Sequence, residues 1–351
     1  MQAAEYTRFG PPDVLEVVER PRPTPRAAEV LVRVHATTVT AVECHMRRGR
    51  PLWGRVILGV VRPRRRMRRL GLEFAGEVVE VGADVTRCAP GDEIFGFTGF
   101  RLGAAAEYLC LPQTASFAPK PAGVPFARAA AAVDGSTTAL FFLQGKARVR
   151  AGQRVLVIGA SGSIGTYAVQ LAHRFGAEVT GVCSGRNADL VRSLGAAHVV
   201  DHTRTDFTTT GERYDVVFDT VGRSSYARAR GSLTERGCYM STSTGPLSTV
   251  LALVTRFGRG RRVLSGMSVE KNASLAFVAR LLAEDALEVV IDRTVPLADI
   301  VAAHQYVESG RKRGTSSSSP DAPILSNLNP KRFAPAPRCS RPASSAAHWR
   351  R

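Results

Sequence analysis

No stretch of this chain comes near the ~18 to 20 consecutive apolar residues that a membrane-spanning helix needs. The opening MQAAEYTRFGPPDVLEVVER also lacks the apolar centre of a secretion signal. A soluble, cytoplasmic protein with no membrane span is therefore expected. Cysteine is scarce: the six at positions 44, 88, 110, 183, 238 and 339 are far apart and form no C-x-x-C pair, so reduced thiols are expected and no disulfide frame. Acids are missing from one segment altogether. From Arg47 to Arg69 ten arginines occur without one acid, and six bases against Asp321 lie between Thr315 and Arg351, so the formal charge of +18 is concentrated in two places. Such a run invites a nucleic-acid reading, yet few aromatics interleave with it as stacking platforms. A solvated basic loop is favoured over nucleic acid as partner; an anionic lipid surface or an anionic substrate stays open.

What is present suffices for two cores, since 351 residues exceed what one core usually fills and 44% of them are apolar. Residues 1–125 are β-rich: EVLVRVHATTV, FAGEVVEVGADV, DEIFGF and AAEYLCL are short runs of strand formers broken by Gly, Pro and Asp. Residues 126–268 alternate short apolar runs (VLVIG, EVTGVC, HVVD, YDVVFDTVG, CYMST) with helical patterns, which predicts a parallel α/β sheet. Residues 269–314 add a helix in SLAFVARLLAED, a strand in VVIDRTVPL and a helix in ADIVAAHQYVESG. No internal repeat is evident. Residues 315–351 hold Ser, Pro, Ala and Arg without apolar periodicity and are expected to be disordered.

The strongest chemical signal is RVLVIGASGSIGTYAVQLAHRFGAEVTGVCSGRN, a buried strand, a glycine turn, a helix and a second strand. In this βαβ context Ala160, Ser161, Gly162, Ser163, Ile164 and Gly165 form a phosphate-binding turn. Gly162 lets the backbone approach a pyrophosphate, Gly165 lets helix pack on strand, and the helix N-terminus offers free N–H groups. Ala160 stands where the usual fingerprint has glycine. After the second strand the chain reads CSGRN, with no acid before Asp189 to bind a ribose 2′-hydroxyl, so Ser184 and Arg186 point to a 2′-phosphate and NADP is expected over NAD. A short-chain dehydrogenase is set aside: none of the seven tyrosines has Lys four residues on.

In order and spacing, GLEFAGEVVEVGADVTRCAPGDEIFGF, GQRVLVIGASGSIGTYAVQLA, LVRSLGAAHVVD, YDVVFDTVG and VIDRTVPLADIVAAHQYVESGRKRG resemble the medium-chain dehydrogenase/reductase superfamily. The likeness is greatest to its zinc-independent quinone oxidoreductase-like branch, often labelled NAD(P)-dependent alcohol dehydrogenase, and it spans residues 1–314. It implies an α/β protein: a GroES-like β-rich catalytic domain (1–125), an inserted Rossmann domain with a doubly wound parallel sheet (126–268), and a return to the first domain (269–314). A homodimer built on the nucleotide domains is implied, and the alanine at position 160 fits the family's own fingerprint.

The resemblance also implies that zinc is absent. The first ligand position of zinc-dependent relatives falls on Thr40, neither Cys44 nor His45. The G-H-E motif reads Gly71-Leu72-Glu73, and the third position falls near Val133 and Asp134, so three protein ligands cannot be assembled. Hydride transfer to a quinone or an α,β-unsaturated carbonyl suits a site without a metal, because the anion formed needs less stabilisation than an alkoxide. By resemblance the cleft is lined by Thr40, Glu43 and His45, with Thr137 and Thr138 near the nicotinamide and Ser241, Thr242, Ser243 and Thr244 against its carboxamide. Each has a plainer role available: Thr40 and Thr137 as cap or turn residues, Glu43 as a surface acid, His45 as a partly buried ring. An alcohol/aldehyde dehydrogenase and a nucleotide- or RNA-binding protein with little catalysis are the alternatives.

Relatives end in a strand reading like G-N-V-V-V-V-T-V, where this chain has GTSSSSP. Loss of one base converts codons for Asn-Val-Val-Val-Val-Thr into Thr-Ser-Ser-Ser-Ser-Pro. A frameshifted tail is inferred, with the terminal strand missing and a sheet edge left unpaired.

Overall fold

Alternation of buried and exposed side chains governs the first third of the chain. The computed structural model describes residues 1–320 except 244, 257 and 259. Strands β1 (Gln2–Tyr6) and β2 (Leu15–Glu19) pair antiparallel. The long β3 (Glu29–Val39) is followed by α1 (Ala41–Arg47), the short α2 (Arg55–Leu58), β4 (Glu73–Val81), β5 (Glu93–Phe97), β6 (Tyr108–Pro112) and β7 (Ser116–Pro119). Period-two spacing sends Val30, Val32 and Val34 of β3 to one face, where they meet Phe74, Val78 and Ile94.

The chain then changes style, as its sequence predicts. Helices α3 (Phe126–Ala131) and α4 (Val133–Leu140) lead into β8 (Arg154–Ile158), α5 (Ser163–Arg174), β9 (Glu178–Cys183), α6 (Ala188–Ser193) and β10 (His198–Asp201). After these come β11 (Tyr214–Asp219), α7 (Tyr226–Ala229), β12 (Leu233–Ser241), α8 (Pro246–Arg256) and β13 (Arg262–Leu264). The six strands lie in the order β10-β9-β8-β11-β12-β13, all parallel, so the order reverses at β8. Ligands of doubly wound sheets bind beyond the strand ends at such a reversal.

The last described segment returns to the first sheet through α9 (Asn272–Ala283), β14 (Ile291–Pro296), α10 (Ile300–Glu308) and β15 (Thr315–Ser319), giving the order β14-β15-β3-β4-β5-β7 with β6 also on β3. One buried cluster spans both sheets, joining Ala36, Ala75 and Phe95 to Val155 and Val157 through α3, α4 and α9. Leu275, Val278, Leu281 and Leu282 of α9 enter it; burying each contributes about 1.5–3 kcal/mol.

Strand β15 corrects one expectation. Thr315–Ser319 was expected to be disordered, with the neighbouring edge unpaired; it pairs parallel with β14 and antiparallel with β3. The ladder uses backbone groups, which Ser supplies as well as Val, and both neighbours offer partners. The misfit shows in the side chains: Thr315 to Ser318 are almost fully buried, and the hydroxyls of Ser316 and Ser318 have no partner. The rest of the expected tail, 321–351, lies outside the described residues.

Candidate active site

Strand β8 ends at Ile158 and the chain turns through Gly159, whose φ of +80° and close approach to Val221 require glycine. Gly159 and Ala160 both donate N–H to the carbonyl of Val182 at 3.0 Å, which pins the turn to β9. A Cβ on Gly165 would lie 2.0 Å from the Gly159 carbonyl oxygen, so glycine here lets α5 seat on the turn. Gly162 differs: a Cβ there would meet only that same oxygen, at 3.2 Å, leaving the turn's outer face open beside the first N–H groups of α5. Ser163 and Ile164 begin the helix.

The turn is tied down from two sides. Asn187 donates Nδ2–H to Ser161 Oγ at 3.0 Å, while its own Oδ1 is buried without a partner. From the other side Gly314 donates N–H to the Ser161 carbonyl at 2.9 Å, and the hydroxyls of Ser163 and Thr315 lie 2.9 Å apart.

At the end of β9, Ser184 is half-buried and Arg186 exposed. No acid precedes Asp189 in this stretch, yet β10 places Asp201 against Gly185, where an added Cβ would lie 2.5 Å from Asp201 Oδ2. Hydrogen bonds from Thr203 hold the Asp201 carboxyl below its usual range. At the ends of β11 and β12, Asp219 accepts N–H from Val221, Gly222, Arg223 and Ser224, and Tyr239 donates its hydroxyl to it. Thr242 donates its hydroxyl to the Thr220 carbonyl at 3.1 Å, and Ser241 Oγ accepts from the N–H of exposed Ser243. Thr244 lies outside the described residues. These groups share the strand-end rim with the glycine turn.

Helix α4 packs beside the N-terminus of α5, with Gly135 against Ser163 and Tyr167. It carries a buried ionic network. Lys271, fully buried, places Nζ 3.0 Å from Asp134 Oδ1, and it donates to Thr137 Oγ1 at 2.8 Å, Thr138 Oγ1 at 3.4 Å and Ser268 Oγ at 3.2 Å. Glu73, also buried, accepts from the Thr38 hydroxyl and from the Asp134 N–H at 2.5 Å. Burial first, and the neighbouring Asp134 second, push its carboxyl up to about 8. Burial pulls Lys312 below the ordinary lysine range, against the opposing influence of Glu73 and Glu43. Thr137 also donates to the Val133 carbonyl at 2.6 Å, so its helical bonding and its contact with Lys271 coexist.

The residues placed nearest the substrate by sequence are distributed differently. Thr40 is the N-cap of α1 in a capping box with Glu43. Glu43 is no surface acid: it is buried, its Oε1 accepts from Gly71 N–H at 2.6 Å and its Oε2 from Thr40 at 2.9 Å, fastening α1 to the chain before β4. Burial pushes its carboxyl up, opposed by those bonds. His45 is exposed on α1, whereas Cys44 points inward with Sγ 3.3 Å from His304 Nδ1. The partly buried ring expected for His45 is thus found instead at His304, buried with Nε2 unpartnered and held down to about 3, first by burial and then by Arg47.

The donor set does not fit a catalytic zinc. Thr40 is committed to Glu43, Leu72 is buried and has no donor atom, and Asp134 is paired with an ammonium. Among the described residues no three His, Cys, Asp or Glu side chains converge as a metal set. The described cysteines, 44, 88, 110, 183 and 238, are unpaired. Among the described residues no helix is long and apolar enough to cross a membrane. Lys271 and Asp201 were not singled out as site residues from sequence, since each reaches the site from a distant segment; Asn187 and Glu73 stand inside stretches that were read, but nothing there shows which way their side chains turn.

Comparison with known proteins places this geometry among oxidoreductases. Residues 26–122 match the family described as "Alcohol dehydrogenase GroES-like domain", and residues 194–315 the family described as "Zinc-binding dehydrogenase". A chloroplastic quinone-oxidoreductase homolog of Spinacia oleracea is 28% identical over 326 residues, 90% of this chain and 97% of that protein. The structure of a quinone oxidoreductase from Coxiella burnetii superposes with a TM-score of 0.81 at 30% identity, over 91% of this chain and 99% of the other. That of the Escherichia coli quinone oxidoreductase complexed with NADPH gives 0.77 at 25% identity, over 91% and 100%.

Proposed function

The chain belongs to the medium-chain dehydrogenase/reductase superfamily, in its zinc-independent quinone oxidoreductase-like branch, and on that premise we propose an NADPH-dependent reductase of quinones or α,β-unsaturated carbonyls. The carrying observation is a juxtaposition. The open face of Gly162 and the N-terminus of α5 lie directly beside α4, whose Asp134, Thr137 and Thr138 are held by buried Lys271.

The residues present fit a nicotinamide dinucleotide. Ser161 to Ile164 would hold the pyrophosphate, at the open face of Gly162 and the first N–H groups of α5. Ser184 and Arg186 would hold the adenosine ribose and its 2′-phosphate, and Ser241 to Ser243 the carboxamide. When bound, NADPH would supply a hydride, leaving as NADP⁺ and so delivering two electrons and one hydrogen to the substrate; one further proton completes the reduction of either an enone or a quinone. The chain's own part is positional. Lys271, its charge answered by Asp134, fixes Thr137 and Thr138 on α4 beside the turn. His45, exposed on α1, remains the titratable side chain on the solvent side from which a proton is relayed.

The alcohol/aldehyde reading is the weaker one, since Leu72 and the Thr40–Glu43 capping box leave no Lewis-acid ligand set to stabilise an alkoxide. A homodimer through the parallel sheets is supported by β13, the edge strand, and by Val250, Leu253 and Val254 exposed on α8. Consumption of NADPH and NADH against quinone, enone and aldehyde panels tests the reading, with light scattering for the dimer. Turnover is expected with quinones or enones and NADPH; no turnover of any substrate, with tight salt-sensitive RNA binding, overturns it.

A further inference from the structure

Between α1 and β4 the chain builds a surface that neither fold nor catalysis explains. Leu58 and Met67 anchor it from beneath, packing with Met46, Leu72 and Leu102. Above them the outward side chains are apolar: Leu52, Val56, Ile57, Val60 and Val61 are 52–79% exposed. The neighbouring turn Gly99–Arg101 adds Phe100, also exposed. Single exposed aliphatics are ordinary; five within ten residues on one short excursion are not.

The same excursion is the acid-free run of the sequence. Arg50, Arg62, Arg64, Arg65, Arg66 and Arg69 are exposed around the apolar patch. The acids that answer the run's charge lie elsewhere: Glu308 takes Arg47 and Arg48 at its start, and no acid occurs from Gly49 to Leu72. Apolar side chains ringed by unneutralised arginines are complementary to a surface with a hydrocarbon interior and an anionic face.

From this we infer that the 50–66 excursion docks the protein on anionic lipid bilayers, with Leu52, Val56, Ile57, Val60 and Val61 entering the headgroup layer and the arginines meeting lipid phosphates. Charge decides against the other occupants. A second copy seated there would bring like-charged arginine rims together, and the residues after 320 carry six bases against one acid. RNA would meet aliphatic side chains where stacking needs aromatic ones. The inference stands on this surface alone and does not rest on the redox reading.

Flotation of the full chain with phosphatidylcholine vesicles and with vesicles of phosphatidylcholine and phosphatidylglycerol, at low and high salt, tests it. Wild type is expected to float with anionic vesicles only. Replacing Val56, Val60 and Val61 together by Asp is expected to weaken partition about tenfold or more. Replacing Arg62, Arg65 and Arg66 by Ser is expected to weaken it about fivefold for each arginine lost. All six side chains are exposed, so the melting temperature should not change. Failure of wild type to float on anionic vesicles overturns the inference, whether or not RNA binds. So does equal flotation of wild type and the aspartate variant, which assigns the binding to basic residues elsewhere. An aspartate variant that floats unchanged but turns from dimer to monomer overturns it in favour of a subunit interface.

Discussion

Lys271 and Asp134 form a buried ion pair, Nζ to Oδ1 3.0 Å, that joins the loop before α9 to the first turn of α4. Removing one partner leaves the other charged and desolvated, so Lys271→Met alone is expected to destabilise by about 3 kcal/mol. The double variant Lys271→Met, Asp134→Asn should recover much of that loss. Urea denaturation of the four proteins gives the coupling. A positioning role in catalysis adds a second readout: kcat against a quinone should fall in the double variant even where stability recovers, with KM for NADPH little changed.

Glu73 gives a pH signature. Its folded carboxyl titrates at about 8 against an ordinary value of 4.5. Between those two values the folded chain holds a proton that the unfolded chain has lost, so stability is greatest below the lower value and falls as pH rises towards the upper. Asp134 and Glu43 reinforce the shift, Lys312 faces the same carboxyl, and Lys271 is paired with Asp134. Glu73→Gln removes the titration: it should be more stable than wild type by at least about 1 kcal/mol above pH 8. Near pH 5 the two should be similar; parallel pH profiles by denaturant unfolding would remove Glu73 as the cause.

Ser316 and Ser318 bury hydroxyls without partners in the middle of β15. Replacing either by Val removes a desolvated polar group and adds apolar volume, with an expected gain of about 1–2 kcal/mol each. Thermal unfolding measures it. Ser317, whose hydroxyl donates to the Thr37 carbonyl at 3.1 Å, should show no such gain.

Two glycines of the turn should fail differently. Gly165→Ala forces a Cβ against the Gly159 carbonyl and should lower the melting temperature. Gly162→Val meets little within the protein but fills the face assigned to pyrophosphate. It should fold and weaken NADPH binding tenfold or more by fluorescence titration, roughly the loss of one charge-assisted contact. Normal affinity in Gly162→Val would place the nucleotide elsewhere.

Asp201 and Arg186 should pull cofactor choice in opposite directions. Arg186→Ala is expected to lower the ratio of kcat/KM for NADPH over NADH about tenfold, and Asp201→Asn to raise it, because the carboxylate beside Gly185 repels a 2′-phosphate. Initial rates with both nucleotides decide.

The glycine turn was legible because its constraint is local: Gly165 must be small whatever surrounds it, and a strand, a turn and a helix within one βαβ unit announce themselves by period. The parallel sheet was legible for the same reason. Lys271 was not, since a lysine between Glu270 and Asn272 reads as a solvated loop charge until the fold brings Asp134 to it. Glu43 was placed in the cleft, with surface acid as its plainer role, because nothing in TTVTAVECH shows that the Gly71 N–H closes over its carboxylate. The end of the chain misled in the opposite sense. Composition declared TSSSS structureless, while the unfilled slot between β14 and β3 selects any segment whose backbone is free to pair.

That slot has a consequence for the order in which the molecule is made. During synthesis β3 leaves the ribosome early and β15 after every other described strand, so the β3 edge at Thr37–Val39 waits uncovered until then. The two contacts that brace the nucleotide turn, Gly314 to Ser161 and Thr315 to Ser163, arrive at the same late moment. The nascent chain should therefore acquire its parallel sheet first and a braced nucleotide turn last, which makes these few residues the closing step of biogenesis.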